Sequence, residues 1–522
     1  MLTWKRVFVM GFDFSGFGDA GLSEGFVEWL VDEKWAESGR RLGRLWDYYE
    51  NPMREAPGRA GISAEVSESG RNYVQAQESG LPPRITGLAY TGSGESRSVG
   101  DISRKEVVIE NDIAWRINAM VDFLFGKGVS FINRRAAAER RGELERIVSA
   151  VFSANGGAGL FQEMAVLGSV YGFVDCLIRP GEELLRCFDS KGSPNGGAGG
   201  GAASEGSFET IVEFARQISI EPIEAPRALP ILDENDYRRI RHYVQHFRQQ
   251  KNSVCHEGGF LNRLLSAGGG RGRSRRAGAM VTEIIGPRWW QRYEDRVLVA
   301  EGANILGVVP VVHIQNVAQP YSYEGMSDVE QLVPLQDELN TRLSDRANRI
   351  TFQAFKMYLA KGLWGLENKP VAPGRVWFTD NLEAKVETFG GDGASPSEDK
   401  HIGEIREAMD KVSGVTPVAA GVLKSKLGNL TSGVALKMTF MGMLARTSRK
   451  QFTYGEGLKE MCRVVLHVLD VCGVYHTSPS EREFDVQFAN PLPEDVMERL
   501  EEARIKKELG VAGEKVLGEL GY

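Results

Sequence analysis

Between Ser327 and Cys472 the chain repeats apolar residues every three or four positions over stretches too long for one small core to bury, which restricts the fold more than any other feature. Leu332, Leu335, Leu339, Leu343, Ala347, Ile350 and Ala354 make one stripe, while Asp337, Arg342, Asp345, Arg346 and Arg349 fall elsewhere on the wheel. Ser327 and Glu330 have the spacing of a capping box, so a helix is expected to start there, with Pro334 kinking it early. About 29 residues would give a rod of roughly 44 Å. Ser395, Pro396 and Glu398 open a second amphipathic helix, whose stripe is Ile402, Ile405, Met409 and Val412.

Between these rods, Gly362, Gly365, Pro370, Pro373 and Gly374 surround strand candidates Arg375 to Phe378 and Ala384 to Phe389, which reads as a compact β module. A third helix is expected over Gly433 to Cys472, with Leu436, Phe440, Met443, Tyr454, Leu458, Met461, Val465 and Val468 on its apolar face. Gly455 and Gly457 are candidate bends in it. Neither rod flanking the β module can bury its stripe alone, so the two must pack together and against neighbours.

Upstream, Ile113, Ile117, Val121 and Leu124 mark a helix over Asn111 to Phe125. A second follows near Ala136 to Phe152, then a glycine break at Gly156 to Gly159, a further apolar helix to Gly168, and a strand at Val170 to Ile178. Val281 to Gln315 is strand-like, and a short strand at Phe484 to Phe488 precedes a charged helix ending at Gly510. The fold class is therefore α+β. Gly192 to Gly206 and Ser266 to Ala279 are rich in Gly, Ala, Ser and Arg and read as exposed insertions.

The chemistry of catalysis is sought in vain. There is no phosphate loop of the G-x-x-x-x-G-K-[ST] type, no H-E-x-x-H and no G-x-S-x-G, so no catalytic residue, cofactor or metal site is indicated. Five cysteines without a C-x-x-C pair suggest reduced thiols, and no run approaches the roughly 18 to 20 apolar residues of a membrane span. His242 and His246 would share a helix face, yet Arg238, Arg239, Arg241 and Arg248 around them favour a solvated basic helix over metal ligation. Glu182 and Glu183 read as surface charge rather than an acid and base pair.

With a net charge of −7 the chain cannot coat nucleic acid by bulk charge, and any such contact must be local. One stretch qualifies: Gly421 to Lys450 carries Lys424, Lys426, Lys437, Arg446, Arg449 and Lys450 and no acid. A loop bearing Lys424 and Lys426 can touch phosphates without reading sequence, and the alternative that they only solvate the loop stays open.

In this order the elements resemble the portal proteins of tailed double-stranded DNA phages, most closely the siphophage type. The resemblance rests on NILGVVPVVHIQN (Asn304 to Asn316), EGMSDVEQLVPLQDELNTRLSDRANRITFQAFKMYLAKG (Glu324 to Gly362), SGVTPVAAGVLKSKLGNLTSGVALKM (Ser413 to Met438) and NPLPEDVMERLEEARIKKELG (Asn490 to Gly510). LWDYYENP (Leu45 to Pro52) and RKEVVIENDIAWRINAMVDFLFGKGVSF (Arg104 to Phe131) are similar to the family's wing.

The resemblance implies a mixed α/β wing (1–326 with 432–490), a long-helix stem (327–355 and 396–416), a β-containing clip (356–395), a tunnel loop (417–431) and a helical crown (491–522). It implies a ring, usually of twelve subunits, at one capsid vertex of the virion, assembled in the host cytoplasm. Its partners would be double-stranded DNA without sequence preference, the terminase large subunit, a head–tail adaptor and the major capsid or scaffolding protein, with no membrane. The implied site residues are Lys424, Lys426 and Asn429 in the DNA channel and Trp364, Trp377 and Phe378 between clips. Leu332, Leu335, Leu339, Leu343, Ile350, Ile402, Ile405 and Met409 would pack the stem. A nucleic-acid-processing enzyme of the packaging machinery, or an assembly adaptor without a DNA path, are the competing readings.

Overall fold

Ile117, Val121 and Leu124 lie buried along one face of a helix, Asp112–Phe125, in the computed structural model of the chain. The structure describes residues 11–17, 21–55, 73–90, 96–98, 105–192, 208–249, 278–354, 357–361, 381–389, 396–420, 437–492, 496–510 and 513. Both α-helices and antiparallel sheets are present, and the chain divides into two compact units.

The first unit comprises Met1–Trp46, Arg116–Glu330 and Val415–Tyr522. Its larger sheet is antiparallel, with strands in the order Val297–Ala303, Trp289–Glu294, Ala279–Ile285, Ile240–Gln249, Ala228–Leu232. Phe12, Phe14, Val27, Leu30 and Val31 cover one face of it, against Val244, Ile284, Trp289 and Tyr293. The smaller sheet places Phe173–Arg179 between Val311–Gln315 and Ser219–Ile223.

Ala138–Ala154 and Ala158–Tyr171 are the two expected helices. The second runs three residues beyond Gly168, so the strand begins at Phe173 rather than Val170; Gly172, at φ +95°, makes the turn between them. A Cβ at Gly172 would lie 2.4 Å from the Gly325 carbonyl oxygen, so the position needs glycine for space as well as for its backbone angle.

His242 and His246 correct the expected basic helix: they sit on the strand Ile240–Gln249 and are buried. A spacing of four keeps two side chains on one face of a strand as well as of a helix, and the aromatic and β-branched Tyr243, Val244 and Phe247 favour the pleated conformation. His246 Nδ1 lies 2.8 Å from Thr282 Oγ1, and burial pushes its ring down to about 4. His242 packs its ring beside Trp289.

The long helix Met441–Val471 is continuous, and the two glycines do not interrupt it. Gly457 serves packing: a Cβ there would lie 2.3 Å from Ile314 on the neighbouring strand, so helix and sheet approach more closely than any other residue permits. Of its predicted stripe, Met443, Tyr454, Leu458, Met461, Val465 and Val468 are buried, and Leu436 lies outside the described residues. Asp485–Phe488 pairs with Val129–Ile132, and Val496–Glu508 forms the last helix, followed by Gly510 at φ +88°.

The second unit, Asp47–Trp115 with Gln331–Gly414, contains the two rods and the β module. The first rod is Val333–Ala354, shorter than expected. Ser327 Oγ does accept from the Val329 and Glu330 amides, 3.1 and 3.3 Å, but caps a turn that ends before the helix begins. Pro334 therefore stands in the first helical turn, where its missing N–H breaks no bond, and there is no kink to attribute to it. The second rod is Pro396–Ser413, and Met357–Lys361 pairs antiparallel with Lys385–Phe389 between the rods in sequence.

Candidate functional site

Within the second unit the two rods pack side by side. Leu332, Leu339, Leu343, Ile402, Ile405 and Met409 are buried, Leu335 is half-buried, and Ile350 is 51% exposed. Ile350, near the helix end, is exposed within the single subunit. Charges lace the rim: Arg346 to Asp399 at 3.1 Å, Arg349 to Glu398, and His401 Nε2 to Glu338 at 3.4 Å. The Arg342 guanidinium, donating to Glu338 at 2.7 Å, holds that carboxyl below the usual glutamate range, with His401 helping against partial burial.

The face of the first rod that sequence reading assigned no role carries a ladder of polar side chains four residues apart. Asn348 Oδ1 accepts from the Glu106 amide at 3.0 Å while its Nδ2 donates to the Glu106 carbonyl at 3.1 Å. One turn earlier Ser344 Oγ accepts from the Val108 amide at 3.0 Å, and Asn340 Oδ1 accepts from the Glu110 amide at 3.0 Å. Gln336 ends the series, donating to the Glu110 carbonyl at 2.6 Å and accepting from the Asp112 amide at 3.2 Å. An extended segment, 105–111, is thus paired along its backbone by side chains of a helix, alternate residue by alternate residue.

The ladder is tied in further. Asn340 Nδ2 donates to Gln77 Oε1 at 3.0 Å, and Gln77 Nε2 donates to the Tyr48 carbonyl at 2.7 Å. Arg406 of the second rod reaches Glu110 at 2.6 Å. The signal was available in sequence as Gln336, Asn340, Ser344 and Asn348, all short hydrogen-bonding side chains at one spacing.

A buried charge cluster stands in the first unit. Asp328 is approached by Lys450 Nζ at 2.5 Å and Arg446 at 2.6 Å, and Lys450 also donates to Ser169 Oγ at 2.8 Å. Lys450 is 1% exposed. Burial alone would raise the Asp328 carboxyl, but the two cations outweigh it and hold it down at about 2. Burial also pushes Lys450 below the ordinary lysine range, with Asp328 opposing. Two of the six cations in the acid-free run thus serve an internal aspartate, whereas Lys437 and Arg449 are exposed.

Lys424, Lys426, Asn429, Trp364, Trp377 and Phe378 all lie outside the described residues. Among those described, no cluster of His, Cys, Asp and Glu is arranged to hold a metal ion, and no helix is long and apolar enough to cross a membrane. Burial pushes the thiols of Cys176 and Cys462 up, and that of Cys472 up to about 11, which makes them poor nucleophiles.

The model of the family described as "Phage portal protein, SPP1 Gp6-like" matches residues 116–517. Among solved structures, a chain from the neck of an empty gene transfer agent particle, computed with C6 symmetry, is similar at 12% identity and a TM-score of 0.42, over 78% of this chain and 88% of that one. A chain from the virion of a native gene transfer agent particle is similar at 10% identity and a TM-score of 0.39, over 76% and 85% respectively. No curated protein matches.

Proposed function

The chain belongs to the SPP1 Gp6-like phage portal protein family, and from that premise we propose that it forms a ring at one capsid vertex through which double-stranded DNA is packaged and ejected. The observation that carries this reading lies inside the matched stretch: two long helices pack together and, in sequence, flank an antiparallel strand pair, the arrangement expected of a stem and clip. On this reading 327–355 and 396–416 are the stem, 356–395 the clip, 417–431 the tunnel loop and 491–522 the crown. The wing is 1–326 with 432–490. The clip docks the terminase motor and then the head–tail connector, and the subunit makes and breaks no bond.

Negative-stain imaging of the purified chain tests the proposal. Rings with an open axial hole are expected; compact monomers with ATPase activity would refute it. Trp377→Ala is expected to weaken ring formation while leaving the unfolding of the first unit unchanged, because a small Gly- and Pro-rich module has little core of its own and needs its neighbours. Intact rings of parental thermal stability would remove Trp377 from the interface.

A circle of lysines around a duplex holds phosphates without sequence preference. Lys424→Ala with Lys426→Ala is therefore expected to spare ring assembly and alter packaging rate or DNA retention. Parental values of rate, packaged length and retention would end the case for a contact there.

A further inference from the structure

Asp175 is fully buried on the central strand of the smaller sheet and gathers three neighbours. Tyr243 donates to its Oδ2 at 2.8 Å from the larger sheet, and Tyr323 donates to its Oδ1 at 2.8 Å from the loop after Gln315. His313, its cross-strand partner in register, brings Nδ1 to within 2.7 Å of the same Oδ1. Burial pushes both tyrosine hydroxyls well above their ordinary range, so each keeps its proton to donate. Two of the three neighbours of Asp175 are thus fixed donors, as a carboxylate requires.

The other nitrogen of His313 decides the matter. Nε2 lies 2.8 Å from the backbone carbonyl oxygen of Tyr323, and a carbonyl can only accept. A neutral imidazole has one N–H and one lone pair, so it can serve Asp175 or the carbonyl but not both. The Tyr323 ring stacks on the imidazole with centroids 3.8 Å apart, which fixes the ring plane and leaves no room to turn away. Gln315 adds bonds to the Ser322 and Tyr323 carbonyls at 2.8 and 3.1 Å, and Asn316 one to the Met326 carbonyl at 3.0 Å. The loop 317–326 is thus strapped to the strand by three successive polar side chains, with His313 the one that can change its number of donors.

We infer that His313 is a proton-gated fastener: with both ring nitrogens protonated it holds the loop 317–326 closed, and loss of one proton loosens it. The groove of about 900 Å³ beside it gives solvent a route to the ring. Asp233, Arg238, Arg239 and Arg241 face that groove from the larger sheet's margin, and Glu456 and Glu460 from the long helix. These carry opposite signs and stand in water, where their fields are screened. Asp175 is the buried carboxyl in contact with the ring, at 2.7 Å. In sign, the fastening is complete at low pH and lost as the ring deprotonates.

Hydrogen exchange read by mass spectrometry tests this on the intact chain, with exchange at the imidazole C2 position reporting the titration of His313 in the same samples. After correction for intrinsic rates, amide exchange over 317–326 is expected to rise on the order of tenfold across that titration, the effect of losing one charge-assisted bond. The strand Phe173–Arg179 should keep its protection. His313→Gln, which offers one donor group and does not titrate, is expected to show fast and pH-independent exchange in the loop. Constant loop protection through the parent's titration, or an unchanged pH dependence in His313→Gln, would overturn the inference; the parent's result decides if the variant does not fold.

Discussion

Lys450→Met is expected to destabilise the first unit by about 3 to 5 kcal/mol, the cost of leaving a buried carboxylate short of its partner. Asp328 keeps Arg446 in that variant, so the lower part of the range is expected. Urea unfolding measures it, and adding Asp328→Leu should recover part of the loss, since it removes the under-paired buried carboxylate while taking from the mostly buried Arg446 its contact there. A double variant no more stable than the single one would mean that the pair is not the source. The pH dependence has a definite sign. Because the Asp328 carboxyl titrates lower when folded than the usual ~3.9 when unfolded, its contribution is complete above that value and lost as pH falls toward about 2.

Asn340→Leu is expected to cost about 3 kcal/mol and to open the ladder. The fully buried side chain accepts from the Glu110 amide and from Gln336 Nε2 and donates to Gln77, all at 3.0 Å. Leucine takes the partner from the Glu110 amide and from Gln77 Oε1, at roughly 1 to 3 kcal/mol each before relaxation, while Gln336 Nε2 keeps the Glu110 carbonyl. Faster amide exchange at Val108 and Glu110 should accompany the loss of stability. Ile350→Ala, on the exposed end of the same helix, is the control and should stay within about 0.5 kcal/mol of the parent. Parental exchange rates in the Asn340 variant would show that the segment is held by something other than the ladder.

The rods were legible because their apolar period is long and strong, and burial of Leu339, Leu343, Ile402, Ile405 and Met409 follows it. The start of the first rod was misjudged because Ser327 and Glu330 carry the letters of a capping box while Ser327 Oγ also donates to the Val170 carbonyl at 2.6 Å, a long-range anchor that local pattern cannot reveal. His242 and His246 were misassigned since a spacing of four is shared by helix and strand faces. The charge cluster was illegible for another reason: Asp328 and Lys450 stand 122 residues apart, and nothing near either names the other. The run rich in cations and free of acids was visible, but which of its members face inward is a tertiary fact.

The ladder between the first rod and 105–111 behaves as a vernier. Four residues of helix advance about 6.0 Å, and two of extended chain about 6.6 Å, so the rungs slip by some 0.6 Å at each step. Across the two intervals from Asn348 to Asn340 the lag reaches about 1.2 Å, which the side chains absorb. Asn348 and Ser344 each serve both backbone groups of one residue, at Glu106 and Val108. Gln336, one methylene longer than the asparagines, instead straddles two residues, from the Glu110 carbonyl to the Asp112 amide. The ladder ends there because the gripped chain turns, the Asp112 amide also donating to the Glu110 carbonyl at 2.8 Å, and enters the helix Asp112–Phe125.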